Sequence, residues 1–168
     1  MCYNLNRNKY NMILGGSTMK GIYTAKKVAE FMVNYANEQG DPISNLQLQK
    51  FLYFLWIEYY KENKKYLFDD EFSAWQFGPV IPNVYYQFCV YGGFPITKSF
   101  STQVKEEDST IIKKFVDKFN KISTYELVDM SHEKGKAWDS VFNEHGNGTG
   151  NHKTISYLQI INLECRTK

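Results

Sequence analysis

The sequence predicts a mainly α-helical protein, a compact multi-helix domain around a buried central helix with a small β element before a Gly-Pro turn. Three observations carry that prediction. Serine-led capping patterns precede apolar runs at Ser44 with Gln47, Ser123 with Glu126 and Ser156 with Gln159. Apolar residues recur at helical spacing through most of the chain. One stretch, "LQLQKFLYFLWIEYYK" at 46–61, is apolar and aromatic almost all round, as a helix packed on several sides must be.

Taken in order, residues 1–20 are rich in Asn, carry Gly15-Gly16 and follow no period. They read as a flexible extension, with Met12 and Met19 as alternative starts. Residues 21–165 form a single domain, since 168 residues suit one core of ordinary size. From Thr24, Val28, Phe31, Met32, Tyr35 and Ala36 share a helical face until Gly40 stops it and Asp41-Pro42 turns the chain. Ser44 then opens the apolar helix. Residues 71–77 suit a short strand that Gly78-Pro79 ends, and Pro82 starts a helix through Val84, Tyr85, Phe88 and Tyr91. Residues 97–108 read as an exposed loop. A helix from Asp108 or Ser109 presents Ile111, Ile112, Phe115, Val116 and Phe119 on one face. Leu127 and Met130 follow Ser123, Trp138, Val141 and Phe142 resume the pattern, "HGNGTGNH" at 145–152 is a loop, and Ser156 caps a last short helix.

Composition narrows the function classes. Lys plus Arg number 20 against 18 for Asp plus Glu, too even for a dedicated polyanion-binding surface. The Lys-Lys pairs are scattered, and the apolar 46–61 helix lacks the Arg, Asn or Gln faces of a base-reading helix, so no nucleic-acid partner is expected. Thirteen Tyr and twelve Phe let a small core bury much area. The longest apolar run, 51–57, is far short of the roughly 20 residues of a membrane span. No secretory leader pattern opens the chain, and Cys2, Cys89 and Cys165 have no paired spacing. A cytoplasmic protein away from the membrane is expected.

No catalytic constellation can be assembled, so an enzyme is not expected, nor a cofactor or metal. His132, His145 and His152 lack ligand spacing. Cys89, inside an aromatic helical stretch, reads as a buried thiol. Asp69, Asp70 and Glu71 read as a solvated face. Lys50 is the anomaly. Its stem can lie along the core while the ammonium reaches water or a carboxylate, or it can make a polar contact at a functional groove. The aromatic stretch "WQFGPVIPNVY" is the best candidate for a protein interface.

"LQLQKFLYFLWIEYY", "FDDEFSAWQFGPVIPNVYYQFCVYGG" and the Leu127, His132, Trp138 spacing of "YELVDMSHEKGKAW" resemble the Panacea domain family, also called SocA-like antitoxins or phage-associated GepA-like domains. The resemblance spans about residues 22–163. It implies a mostly helical antitoxin of a type II toxin-antitoxin system that neutralises a cognate toxin, encoded by an adjacent gene, through direct binding. The alternatives it implies are an adaptor delivering the toxin to a AAA+ protease, or a phage-associated regulator. Carried over residue by residue, the motif positions are Leu48, Gln49, Lys50 and Tyr53 on the central helix, Trp75, Gln76, Gly78, Pro79, Val80 and Tyr85 around the proline turn, and His132 with Trp138 late in the chain. Gln49 and Lys50 are its polar exceptions, expected to border a groove or fix a buried network.

Overall fold

A computed structural model describes residues 20–146 and 148–166. Among these are seven α-helices and a three-stranded antiparallel sheet: α1 (Ala25–Glu38), α2 (Asn45–Asn63), β1 (Phe72–Trp75), β2 (Gly78–Val80), α3 (Pro82–Phe88), α4 (Glu106–Phe119), α5 (Thr124–Ser131), α6 (Ala137–Phe142), β3 (Thr154–Ile155) and α7 (Tyr157–Glu164). A 3₁₀ turn, Cys89–Tyr91, extends α3. The helix starts follow local chemistry. At α2, α5 and α7 a serine side chain accepts from the backbone N–H three residues on, and a Gln or Glu side chain returns to the serine N–H. Thr24 caps α1 through the Lys27 N–H.

Helix α2 packs against α1, α3, α4, α5, α7 and β2. Its contacts explain its composition. Phe51 meets Phe115 and Phe119 of α4 edge-on, while Trp56, fully buried, stacks on Tyr60 at 5.2 Å and on Tyr157 of α7 at 4.6 Å. Each of these surfaces needs its own rings. No helix among the described residues is long and apolar enough to cross a membrane.

The sheet runs β2-β1-β3, with Ser73 opposite Val80, Ala74 opposite Pro79 and Trp75 opposite Gly78. Pro79 has no N–H to give, so the Ala74–Pro79 pair is the non-hydrogen-bonded kind. The backbone of Ala74 accordingly turns the other way, donating to Lys153 O at 2.8 Å and accepting from His152 N. By the same alternation, the Pro79 carbonyl and the Ile81 N–H point out of the sheet's edge. Both are taken by side chains of α2: Lys50 Nζ donates to Pro79 O at 2.7 Å, and Ile81 N donates to Gln49 Oε1 at 2.9 Å.

Several expectations are corrected here. Gly78-Pro79 does not end the β element; it is the second arm of a hairpin whose turn is Gln76-Phe77, because an edge strand at this register has no use for the missing N–H. Helix α4 begins at Glu106, inside the segment read as loop, with Glu106, Glu107 and Asp108 in its first turn, where carboxylates suit the positive helix end. Cys89 is exposed: Val84 and Phe88 point into the core, and the 3₁₀ turn carries Cys89 to the outer side, its thiol on Tyr86 O. Asp70 is no mere solvated acid, since its carboxylate accepts from the Ala25 N–H at the start of α1. Strand β3 had no counterpart in the sequence reading. Cys2 and most of the 1–20 extension lie outside the described residues.

Candidate functional site

The first turns of α2 carry a polar row aimed at backbone. Asn45 and Gln49, one helical turn apart, are bonded to each other at 3.1 Å. Asn45 Nδ2 donates to Tyr85 O at 3.0 Å, fixing α3, and Gln49 and Lys50 hold the β2 edge. All three side chains are buried. Lys50 is 0% exposed, and among the described residues its ammonium pairs with no carboxylate, so the expectation that it would reach water or a carboxylate is corrected. Its stem is enclosed on every side by α2's neighbours and its only hydrogen-bond partner among the described residues is Pro79 O. Burial pushes its pKa down to about 7.

The hairpin's other arm is held from α6. Trp138 Nε1 donates to Trp75 O at 2.9 Å, and the His132 ring stacks on Trp138 with centroids 3.8 Å apart. His132 Nε2 is buried and has no hydrogen-bond partner among the described residues. Burial, and then the Lys50 charge, lower its pKa, with Asp129 and Asp139 opposing weakly. Gly78 lies against Ser131 and Lys50. Its φ is +100°, and a Cβ there would run into Ser131 Oγ and Lys50 Nζ, so only glycine fits.

Outward from this anchored base the surface is aromatic. Trp75 meets Tyr85 at 4.9 Å, Tyr86 at 6.2 Å and His152 at 4.9 Å. Beside them Phe77 is 59% and Tyr86 62% exposed, and Val90 and Phe94 stand further out, at 84% and 77%. Residues 72–97, which include all of these except His152, contain no Asp, Glu, Lys or Arg. Aromatic and apolar side chains exposed along a sequence run without charge suit contact with protein.

Comparison with known proteins bears on this arrangement directly. The family described as "Antitoxin SocA-like, Panacea domain" matches residues 48–139, which take in α2 from Leu48 onward and the whole hairpin. Antitoxin SocA of Caulobacter vibrioides (strain NA1000 / CB15N) is 31% identical over 139 residues, covering 75% of this chain and 74% of that protein. The chain belongs to the SocA-like, Panacea domain family. No solved structure matches it.

The matched Panacea span contains every motif residue singled out in the sequence. Gln49, Lys50, Trp75, Gly78, Pro79, His132 and Trp138 come together as one cluster, and Tyr85 adjoins it through Trp75. Two do not join it. Tyr53 faces α7, its hydroxyl on Glu164 Oε1 at 2.8 Å and its ring against Phe72. Its hydroxyl pKa is raised far above the ordinary value by burial and then by the Glu164 charge. Gln76 sits exposed in the hairpin turn. Sequence reasoning missed Asn45 and Ser131, both buried in the Panacea cluster or beside it. Asn45 had a usable signal, its i,i+4 spacing to Gln49 on the same helix face. Ser131 had none. Among the described residues, no group of three or more His, Cys, Asp or Glu is placed to hold a metal ion.

Proposed function

We propose that this member of the antitoxin family belongs to a type II toxin-antitoxin pair and neutralises a toxin protein by direct contact, through the face formed by the β1–β2 hairpin and α3. The observation that carries this reading is the charge-free run 72–97 with Phe77, Tyr86, Val90 and Phe94 exposed on a backbone locked from behind by Asn45, Gln49, Lys50 and Trp138. Rigid aromatic residues supply contact area at little entropic cost, which is how interfaces gain affinity. In this reading the chain is a cytoplasmic, non-enzymatic binding protein, α2 is the organising helix, and the motif residues act mainly by positioning the face rather than touching the toxin.

The test is co-expression of the open reading frame with each flanking gene of its native locus. A flanking product that arrests growth alone, is tolerated with this chain and copurifies with it at fixed stoichiometry supports the proposal. Tyr86→Asp and Phe77→Asp should then abolish rescue while leaving the melting temperature within about 2 °C, as surface changes do. Rescue that disappears when a AAA+ protease is deleted would replace occlusion by delivery for degradation. The absence of any toxic neighbour would overturn the proposal.

A further inference from the structure

His152 lies beyond residues 48–139 that match the family, yet its ring stands 4.9 Å from that of Trp75, edge-on at 61°. Its backbone is the unusual part. The pairing of β3 with β1 sets Phe72 opposite Ile155 and Ser73 opposite Thr154. A regular ladder would go on to set Ala74 opposite Lys153 and Trp75 opposite His152. Instead, His152 N donates to Ala74 O at 2.6 Å while Ala74 N donates to Lys153 O at 2.8 Å, so two residues face one. This is a β-bulge of the kind whose first residue takes a left-handed backbone and is ordinarily glycine. Here that residue is His152, with φ +66°. Apart from Lys64 at the C-terminal cap of α2, it is the only non-glycine with positive φ among the described residues. Histidine enters this region more readily than most residues, but glycine enters it without steric cost. The chain keeps an imidazole where the backbone asks for glycine.

What the bulge delivers is a direction, since a bulge re-aims the side chains of its strand. The His152 ring is set against Trp75, which also meets Tyr85 and Tyr86. His152 is exposed, and neither of its ring nitrogens is bonded to protein among the described residues. Lys153, the other half of the bulge, is turned to Glu144, with 3.3 Å between Nζ and Oε2. Across the cluster, residues 72–97 contain no Asp, Glu, Lys or Arg. A charged group of a partner pressed onto them would lose its water and meet no opposite charge, whereas apolar and aromatic groups lose nothing there.

We propose that His152 is a recognition residue of this face. Its imidazole extends the cluster of Trp75, Tyr85 and Tyr86, packs on an apolar, uncharged patch of the toxin, and orients that patch through a free ring nitrogen. The proposal rests on the reading that the hairpin and α3 form the toxin-binding face. It separates cleanly from a structural role for the bulge. If the bulge served the fold alone, His152→Gly would ease the backbone and leave binding untouched; a recognition residue held at a cost in strain gives an eased backbone and weaker binding.

The test uses the full chain and the flanking-gene product that copurifies with it. Diethyl pyrocarbonate modifies accessible imidazoles, and peptide mass spectrometry follows each histidine separately. In the complex, modification of His152 should slow by at least about tenfold relative to the free chain, while His145, exposed beside Glu144, keeps its rate. Calorimetric titration of His152→Gly should give a Kd at least about tenfold higher, with a melting temperature equal to or above that of the unaltered chain. The unaltered pair should lose less than about threefold in affinity between 50 and 500 mM sodium chloride, because no charge pair carries the contact. An unslowed His152 in the complex, an unchanged Kd in His152→Gly or a larger salt loss each overturns the proposal while leaving the binding face in place. The footprint is read on the unaltered chain, so it decides even where the variant does not fold. Binding that survives both Tyr86→Asp and Phe77→Asp, or the absence of any copurifying product, overturns the face itself and this proposal with it.

Discussion

In its first turns α2 directs Asn45, Gln49 and Lys50 at the backbone of β2 and α3, whereas in its last turns it directs Trp56, Tyr59 and Tyr60 mainly at other side chains. The second half is fastened by an edge-on ring contact with Tyr66 and stacking on Tyr157, with Trp56 Nε1 satisfied by Phe68 O and the Tyr59 hydroxyl by Asp108. One helix thus joins two regions held by different forces. The aromatic half gains from dispersion and burial, which are large and tolerant of small displacements. The polar half gains little net free energy per bond, yet each bond exists in one geometry only. The difference teaches where stability and where shape are stored: the fold rests on Trp56 and its rings, and the orientation of the hairpin rests on Gln49 and Lys50.

The comparison breaks most visibly at Trp56. Trp56→Ala should cost about 3–5 kcal/mol in denaturant unfolding, because a fully buried indole leaves a large void and an unpaired carbonyl at Phe68. Next in size is the pH dependence of stability. Lys50 binds its proton less readily in the folded state, at about 7, than in the unfolded chain, at 10.5, so stability rises with pH across that interval. Between pH 7 and 9.5 this group alone should add about 3 kcal/mol. Tyr23 works in the opposite sense above pH 10, since its hydroxyl is raised to about 12, mainly by burial and then by its bond to Asp108. A stability maximum near pH 10 is therefore expected, and Lys50→Met should flatten the rising limb, leave the falling limb, and cost little or even stabilise at pH 7, as apolar replacements of buried charges do.

Smaller effects sharpen the contrast. Gly78→Ala should lose about 2–3 kcal/mol, from the left-handed φ and the collision with Ser131 and Lys50. Gln49→Ala should lose about 1–3 kcal/mol by leaving the Ile81 N–H unpaired in the interior, and its exchange protection should fall while that of α4 holds. Trp138→Phe keeps the stack on His132 but removes the bond to Trp75 O, and should cost about 1 kcal/mol, read as a melting shift with altered Trp75 fluorescence.

The starts of α2, α5 and α7 were legible because a capping box is written in four consecutive residues, and all three appear where Ser44, Ser123 and Ser156 place them. The hairpin was not, because a proline's effect on a strand depends on which way its nitrogen faces, and that is set by the pairing register with Ala74 rather than by its neighbours in sequence. The motif residues of the candidate site were legible through family resemblance. Their assembly was not. Nothing near Lys50 in the sequence tells that Pro79 will cover it, and the rule that lysines reach water fails because packing closes every exit. Cys89 failed for a related reason: three residues of 3₁₀ geometry are enough to turn a side chain from the inner to the outer face.

Occupied edge groups on β2 have a consequence for assembly. An exposed strand normally offers its free N–H and C=O groups to any passing extended chain, which is how sheets grow between molecules. Along β2 the Pro79 carbonyl is spoken for, the Ile81 N–H is spoken for, and Pro79 has no N–H to offer. No foreign strand can continue the sheet on that side without first evicting two side chains of α2. Whatever docks on the hairpin must therefore be recognised by its side chains and its contour, and the same closure guards a short, aromatic, charge-free segment against self-association through its backbone.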